Sequence, residues 1–137
     1  FRNAIAGAEK AIVVTTPEVS AVRDADRIIG LLEAAELRDP KLIINRIRPK
    51  MVRQGDMMSI DDIIDILAVE LLGVIPEDEM IVITTNRGEA VVLDQNSKSG
   101  QAYRNITRRI LNEDVPMMNL EEGNGFFKRI KKIIGLK

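Results

Sequence analysis

The sequence holds no cysteine and no histidine. Without cysteine there are no disulfides, no thiolate zinc sites and no thiol nucleophile, and a reducing cytosol is the expected compartment. Without histidine, imidazole-ligated metals and a Ser-His-Asp arrangement are excluded as well. No run approaches the roughly 18 consecutive apolar residues of a membrane-spanning helix. Phe1-Arg2-Asn3 opens without the hydrophobic stretch of a secretion signal. The pattern Gly-x-x-x-x-Gly-Lys-Ser/Thr is missing, and no lysine directly follows any of the nine glycines. The sequence therefore lacks the loop that would grip phosphates and magnesium.

What is present suits one globular domain. The 137 residues are 45% hydrophobic and 30% charged, enough to bury one core. The net charge of −1 conceals an asymmetry. Residues 126–137 carry Lys128, Arg129, Lys131, Lys132 and Lys137 with no acid, while the other 125 residues hold 15 basic and 21 acidic side chains. An acidic body with a short basic end does not fit a nucleic-acid binder, whose basic face would lie on the domain itself. It fits a body with a separate docking element.

Three aliphatic runs have the composition of strands buried on both faces: residues 11–16, 41–45 and 71–76. Between them the apolar spacing turns helical. Ala21, Val22, Ala25, Ile28, Ile29, Leu32 and Ala35 share one side of a helix that follows Pro17, with Pro17 expected in its first turn. A second helix is expected from Ser59, where Ser-x-x-Asp precedes Ile60, Ile63, Ile64 and Leu67. The order β-α-β-α-β gives an α/β fold with a parallel sheet. Glu77-Asp78-Glu79 reads as the acidic first turn of a short helix, and a last domain helix is expected over about 97–113. Pro116 and Gly123-Asn124-Gly125 mark residues 114–125 as a flexible linker.

In open parallel sheets, ligands bind beyond the carboxyl ends of the strands. The polar residues there are Thr15, Thr16 and Glu18, then Asn45 and Arg46, then Glu77 and Asp78 after Pro76. An asparagine carboxamide can pair with the N6 and N7 edge of adenine. Glu18 can accept from ribose hydroxyls, and backbone groups of the Pro76-Glu77-Asp78 turn can frame a base. Each of these residues also suits a plain loop or cap, and spacing alone leaves both roles open. Asp61, Asp62 and Asp65 read as a solvated helix start rather than a metal site, because adjacent helical residues project about 100° apart.

The strongest local signal is the C-terminal stretch. Phe126, Phe127, Ile130, Ile133 and Ile134 occupy an arc of about 120° on a helical wheel. Lys128, Arg129, Lys131 and Lys132 lie outside that arc. A helix this short spans about 18 Å and cannot cross a hydrocarbon core of about 30 Å. It can lie in the interface, with its lysines level with anionic head groups. Packing on the domain core is the alternative, though two of the three phenylalanines sit in this stretch. One copy should bind weakly and two linked copies far better.

Several segments carry a resemblance. They are Ile12-Val-Val-Thr-Thr-Pro-Glu-Val-Ser-Ala-Val-Arg-Asp-Ala-Asp-Arg27, Arg53-Gln-Gly-Asp-Met-Met-Ser59, Gly73-Val-Ile-Pro-Glu-Asp78, Asn86-Arg-Gly-Glu-Ala-Val91 and the Phe-Phe-Lys-Arg-Ile tail. Together they resemble the septum-site-determining branch of the MinD/ParA family of deviant-Walker-A P-loop ATPases, along essentially the whole chain. The resemblance implies an ATP hydrolase that dimerises on ATP, binds the membrane peripherally through its tail and recruits the division inhibitor MinC. In many bacteria MinE-stimulated hydrolysis then releases it. Residues 1–113 would be the C-terminal part of the ATPase domain, 114–125 the linker and 126–137 the membrane-targeting helix. Carried over by position, Asn45 and the Pro76-Glu77-Asp78 turn would contact the adenine of ATP or ADP, and Glu18 would face the ribose near the dimer interface. Asp24 and Asp26 would belong to the surface used by MinC and MinE.

The P-loop, the switch regions and the magnesium ligands would precede Phe1. The chain by itself is therefore expected to be inactive, and its sheet to have exposed edges. The expected location is the bacterial cytoplasm and the inner face of the cell membrane, with no nucleic-acid partner. Two alternatives compete with this reading: a non-enzymatic membrane-surface adaptor, or part of a ParA-like chromosome or plasmid partition ATPase.

Overall fold

The computed structural model describes residues 1–120, and the membrane-binding residues expected at Phe126, Phe127, Lys128, Arg129, Ile130, Lys131, Lys132, Ile133 and Ile134 lie outside them. A short α1 (Arg2–Ile5) leads to β1 (Ile12–Thr15), α2 (Val19–Ala34) and β2 (Lys41–Ile47). Then come α3 (Pro49–Gln54), α4 (Ile60–Leu67), β3 (Glu70–Pro76) and α5 (Glu79–Asn86). A 3₁₀ turn (Val91–Leu93) and α6 (Lys98–Ile110) complete the order. The sheet is parallel, in the order β1-β2-β3. This is the α/β architecture expected from the three aliphatic runs.

β2 is the central strand, and Leu42, Ile43 and Ile44 are all buried because helices cover both of its faces. On one face, α2 and α4 place Val22, Ala25, Ile29, Leu32, Ile60, Ile63 and Leu67 against Val13, Leu42 and Ile44. On the other, Ala102 and Ile106 of α6 pack with Ile43, Leu72 and Ile75. The approach of α6 is close: a Cβ at Gly73 would stand 2.3 Å from Cγ1 of Ile106. Only a residue without a side chain fits there.

The helix ends follow from the sequence with one adjustment. Ser59 caps α4 by accepting from Asp62 N–H, and the Asp62 carboxylate accepts from Ser59 N–H in return, completing the capping box. Glu18 is the N-cap of α2, so buried Pro17 precedes the helix instead of opening it. Pro17 points its carbonyl across the molecule to accept from Met58 N–H at 3.3 Å. α3 arises where the apolar spacing gave no signal. Pro49 occupies its first turn and Gly55 ends it at φ +78°. Within α2, Ile28 is 39% exposed, so the buried stripe is narrower than the apolar spacing suggests.

Of the expected linker, the part within the described residues is fastened to the body. The Arg109 guanidinium donates to the carbonyls of Val115 (2.8 Å) and Pro116 (2.9 Å), and also to that of Leu72 in β3 (3.0 Å). Met118 packs on the α6 side of the sheet and Leu120 on the α2–α4 side. The chain here passes from one layer to the other.

Candidate functional site

Parallel pairing brings the carboxyl ends of the three strands to one edge of the sheet. At that edge β2 departs from regular pairing. Ile44 pairs with Val74 and Ile47 with Pro76, so Asn45 and Arg46 stand opposite the single residue Ile75. This is a bulge, with Arg46 in the left-handed region at φ +60°. Bulges redirect side chains, and this one sets Asn45 beside the end of β3. The Asn45 Oδ1 accepts from Arg46 N–H at 2.9 Å, which fixes the carboxamide with its oxygen held by the backbone. One lone pair of that oxygen and both amide hydrogens are left for other partners.

The Pro76-Glu77-Asp78 turn is held from several directions. Glu77 N–H donates to the Ile47 carbonyl at 2.9 Å, closing β3 onto the end of β2. The Glu77 carboxylate accepts from both Arg46 (3.2 Å) and Arg48. These pairs are partly exposed and contribute about 1 kcal/mol or less each. They also link the bulge to the turn.

Asp78 does more. Its Oδ1 accepts from Met80 N–H at 2.9 Å, capping α5. Its Oδ2 accepts from Ser97 Oγ at 2.8 Å, Ser99 Oγ at 2.9 Å and Ser99 N–H at 3.1 Å. Burial works to raise its pKa, but these donors outweigh burial and hold the carboxyl at about 2. Three protein donors thus converge on Oδ2 and one on Oδ1, so the carboxylate is committed to holding the turn.

Glu18 stands at the end of β1, one strand over, where Thr16 Oγ1 donates to its carboxylate. It lines an open cleft of about 580 Å³ with Pro17, Val52, Met57, Met58 and Asp62. Asp24 and Asp26 are exposed on α2. Asp24 pairs with Arg27 at 3.5 Å. The structure thus sets Asn45 in the bulge opposite Ile75, just before the strand end from which the 76–78 turn leaves, with Glu18 at the same sheet edge. Asp24 and Asp26 are both exposed on α2 but, two positions apart, project about 200° from each other and share no face. Among the described residues no group of three or more acidic side chains is gathered closely enough to hold a metal ion.

Ser97 and Ser99 were not legible as site residues. The only local signal was the N-cap character of Ser97, whose Oγ accepts from Gly100 N–H at 2.9 Å. The Arg46 and Arg48 pairs with Glu77 depend on a strand register that the sequence does not state.

No family model matches the chain. Individual proteins do. The chain is 50% identical over 139 aligned residues to the septum site-determining protein MinD of Bacillus subtilis, covering 100% of the chain and 52% of that protein. It is 49% identical to the MinD of Synechocystis, covering 96% of the chain and 50% of that protein. Among solved structures, MinD of Aquifex aeolicus superposes with a TM-score of 0.83 at 47% identity, over 87% of this chain and 50% of that one. A MinC:MinD complex from the same organism gives 0.84 at 47% identity, over 87% and 49%. MinD of Pyrococcus horikoshii complexed with Mg-ADP gives 0.65 at 32% identity, over 74% and 41%. The chain spans about half the length of the curated relatives it matches. Whole-chain identity near one half and a superposable three-stranded core together place this chain in the MinD family of septum site-determining proteins.

Proposed function

We propose that this chain forms the base-binding and partner-facing half of an ATPase that selects the division site. The phosphate-binding loop and the magnesium ligands come from polypeptide outside this sequence. The whole protein dimerises on ATP, docks on the anionic inner face of the membrane through residues 126–134, and recruits MinC. Where MinE exists, it releases the protein by stimulating hydrolysis.

The observation that carries this reading is the β2 bulge, which sets Asn45 beside the Pro76–Asp78 turn at the carboxyl edge of a parallel sheet. That edge is where such sheets hold nucleotides. The Mg-ADP complex of a MinD relative with the same core supports a nucleotide as the ligand, and the MinC:MinD complex supports MinC as the partner. The amide of Asn45 supplies a donor for adenine N7, and its oxygen has a lone pair left for the N6 amino group. Glu18, at the end of β1, faces the ribose, and Asp24 and Asp26 meet the regulatory proteins from two sides of α2.

The test is nucleotide titration of the full-length protein by calorimetry, comparing wild type with Asn45→Ala. The variant should lose about tenfold in ATP affinity, the effect of about one hydrogen-bonded pair. Inorganic tripolyphosphate should bind both proteins alike. Equal ATP affinity in the two would remove Asn45 from the base site.

A further inference from the structure

The base-binding reading, on which this inference rests, leaves open what holds the 76–78 turn in register with Asn45. On the β2 side one backbone bond, Glu77 N–H to the Ile47 carbonyl, holds the start of the turn. Beyond it the Glu77 side chain is gripped by Arg46 and Arg48, whose side chains are more than half exposed. Such pairs exchange readily with water and fix position poorly. The other side is built differently. Ser97 is 4% exposed and Ser99 0%, and both hydroxyls reach Oδ2 of Asp78. The two Oγ atoms also lie 2.9 Å from each other. Two hydroxyl hydrogens meet three close contacts, so with the carboxylate ionised both point to it, and the Oγ–Oγ contact is left as a packing contact without a hydrogen.

Asp78 thereby caps two helices at once. Its Oδ1 takes Met80 N–H of α5, while Oδ2 takes Ser99 N–H in the first turn of α6. The serines are held in turn by a rigid support. A Cβ at Gly100 would stand 2.5 Å from the Val91 carbonyl oxygen and 2.9 Å from that of Asp94, so α6 and the 3₁₀ segment touch backbone to backbone. Arg104 donates to the carbonyls of Val92 and Asp94, and Asp94 Oδ1 accepts from Asn96 and Ser97 N–H. Further along, α6 is fixed to the sheet by Ala102 and Ile106. A chain of buried contacts therefore runs from the core through Ser97 and Ser99 to the turn.

We propose that Ser97 and Ser99 are positioning residues for the nucleobase, anchoring the Pro76–Asp78 turn through the Asp78 carboxylate so that its backbone meets the base in register with the Asn45 amide. They touch no ligand themselves. Their removal loosens the base frame while leaving the phosphate end of the site untouched. Base selectivity thus depends on a side-chain cluster about 20 residues downstream of the turn it serves.

The experiment uses the full-length protein and three probes: ATP, GTP and inorganic tripolyphosphate. Ser99→Ala removes one hydroxyl and keeps the N–H donor. The Ser97→Ala/Ser99→Ala pair removes both hydroxyls, and Ser97→Thr with Ser99 intact keeps both. ATP affinity should fall severalfold in Ser99→Ala and about tenfold in the double variant, with the ATP over GTP preference narrowing. Tripolyphosphate affinity should stay within about twofold, and Ser97→Thr should behave as wild type. Two results overturn the proposal. One is undiminished ATP preference in the double variant while Asn45→Ala loses it. The other is a parallel loss of ATP and tripolyphosphate affinity in both alanine variants, which marks the serines as general stabilisers. If Asn45→Ala also keeps full preference, the base-binding reading fails along with the inference.

Discussion

Asp78 shows how one side chain can be recognised in a sequence and its work still be missed. An acidic residue after Pro76 announces a helix start, and Asp78 does cap α5. Its other donors, Ser97 and Ser99, lie 19 and 21 residues further on, beyond the reach of any local pattern. Those donors have a measurable consequence. The folded carboxyl is held at about 2 against an ordinary 3.8. A depressed acid pKa adds stability that is fully present above the unfolded value and is lost as pH falls through the folded one. The window here is about pH 4 down to 2. Allowing for solvent screening, the contribution is on the order of 1–2 kcal/mol. Asp78→Asn should therefore lower the urea midpoint at pH 7, and more so because an amide N–H₂ would face the serine donors. The gap from wild type should shrink steadily below about pH 4. Urea titrations of both proteins across that range check it, and a gap that stays constant to pH 2 would remove the carboxylate from the account.

At the scale of elements, the strands were legible and their irregularity was not. Aliphatic runs buried on both faces can only be interior parallel strands, which is why β2 and β3 fall where composition puts them. α4 was legible through its capping box, since both partners lie within one turn. α3 was not, because residues 49–54 bury none of their side chains fully and so show no periodicity. The bulge at Asn45 and Arg46 has no sequence signature either, as its left-handed residue is an arginine rather than a glycine. It is nonetheless the feature on which the proposed base site rests.

The contact of α6 with β3 gives a test of packing at this scale. Gly73→Ala would set a methyl 2.3 Å from Cγ1 of Ile106 and 2.6 Å from Cδ1, an overlap that costs about 1–3 kcal/mol. Ile106→Ala alone leaves a cavity and costs about 2–5 kcal/mol. The double variant should be more stable than the sum of the two losses, by about 1 kcal/mol or more, because each change relieves the other. Denaturant unfolding of the four proteins measures the coupling. Strict additivity would show that α6 does not sit on Gly73.

At the scale of the molecule, the described sheet has two open edges, β1 and β3, and the β1 edge is the more apolar in its surroundings. β1 pairs with β2, and among the described residues no strand pairs with its other edge. On the face away from α2, Ile12 is 45% exposed and Val14 57%, although both are strand residues of interior character. They border a groove of about 680 Å³ formed with Phe1, Ile5 and Ile28. Unpaired backbone beside exposed aliphatic side chains favours association. The chain spans about half the length of the curated relatives it matches. The expectation of exposed edges came from the resemblance. Which face of β1 would be bare could not be read, because Ile12, Val13 and Val14 are alike in composition and differ only in the register that the fold imposes.

In the function proposed above, adenine held at the carboxyl edge of the sheet controls docking of the C-terminal stretch on lipid. Co-sedimentation of the full-length protein with anionic vesicles measures both, with ATP or ADP, across a salt series, for wild type, Asn45→Ala and a chain ending at Gly125. Wild type should sediment with ATP far more than with ADP, and less as salt rises, because screening weakens the cation–headgroup attraction. Asn45→Ala should need about tenfold more ATP for the same binding, and the truncated chain should stay in solution throughout. Sedimentation that ignores the nucleotide, or that survives loss of residues 126–137, would contradict the account.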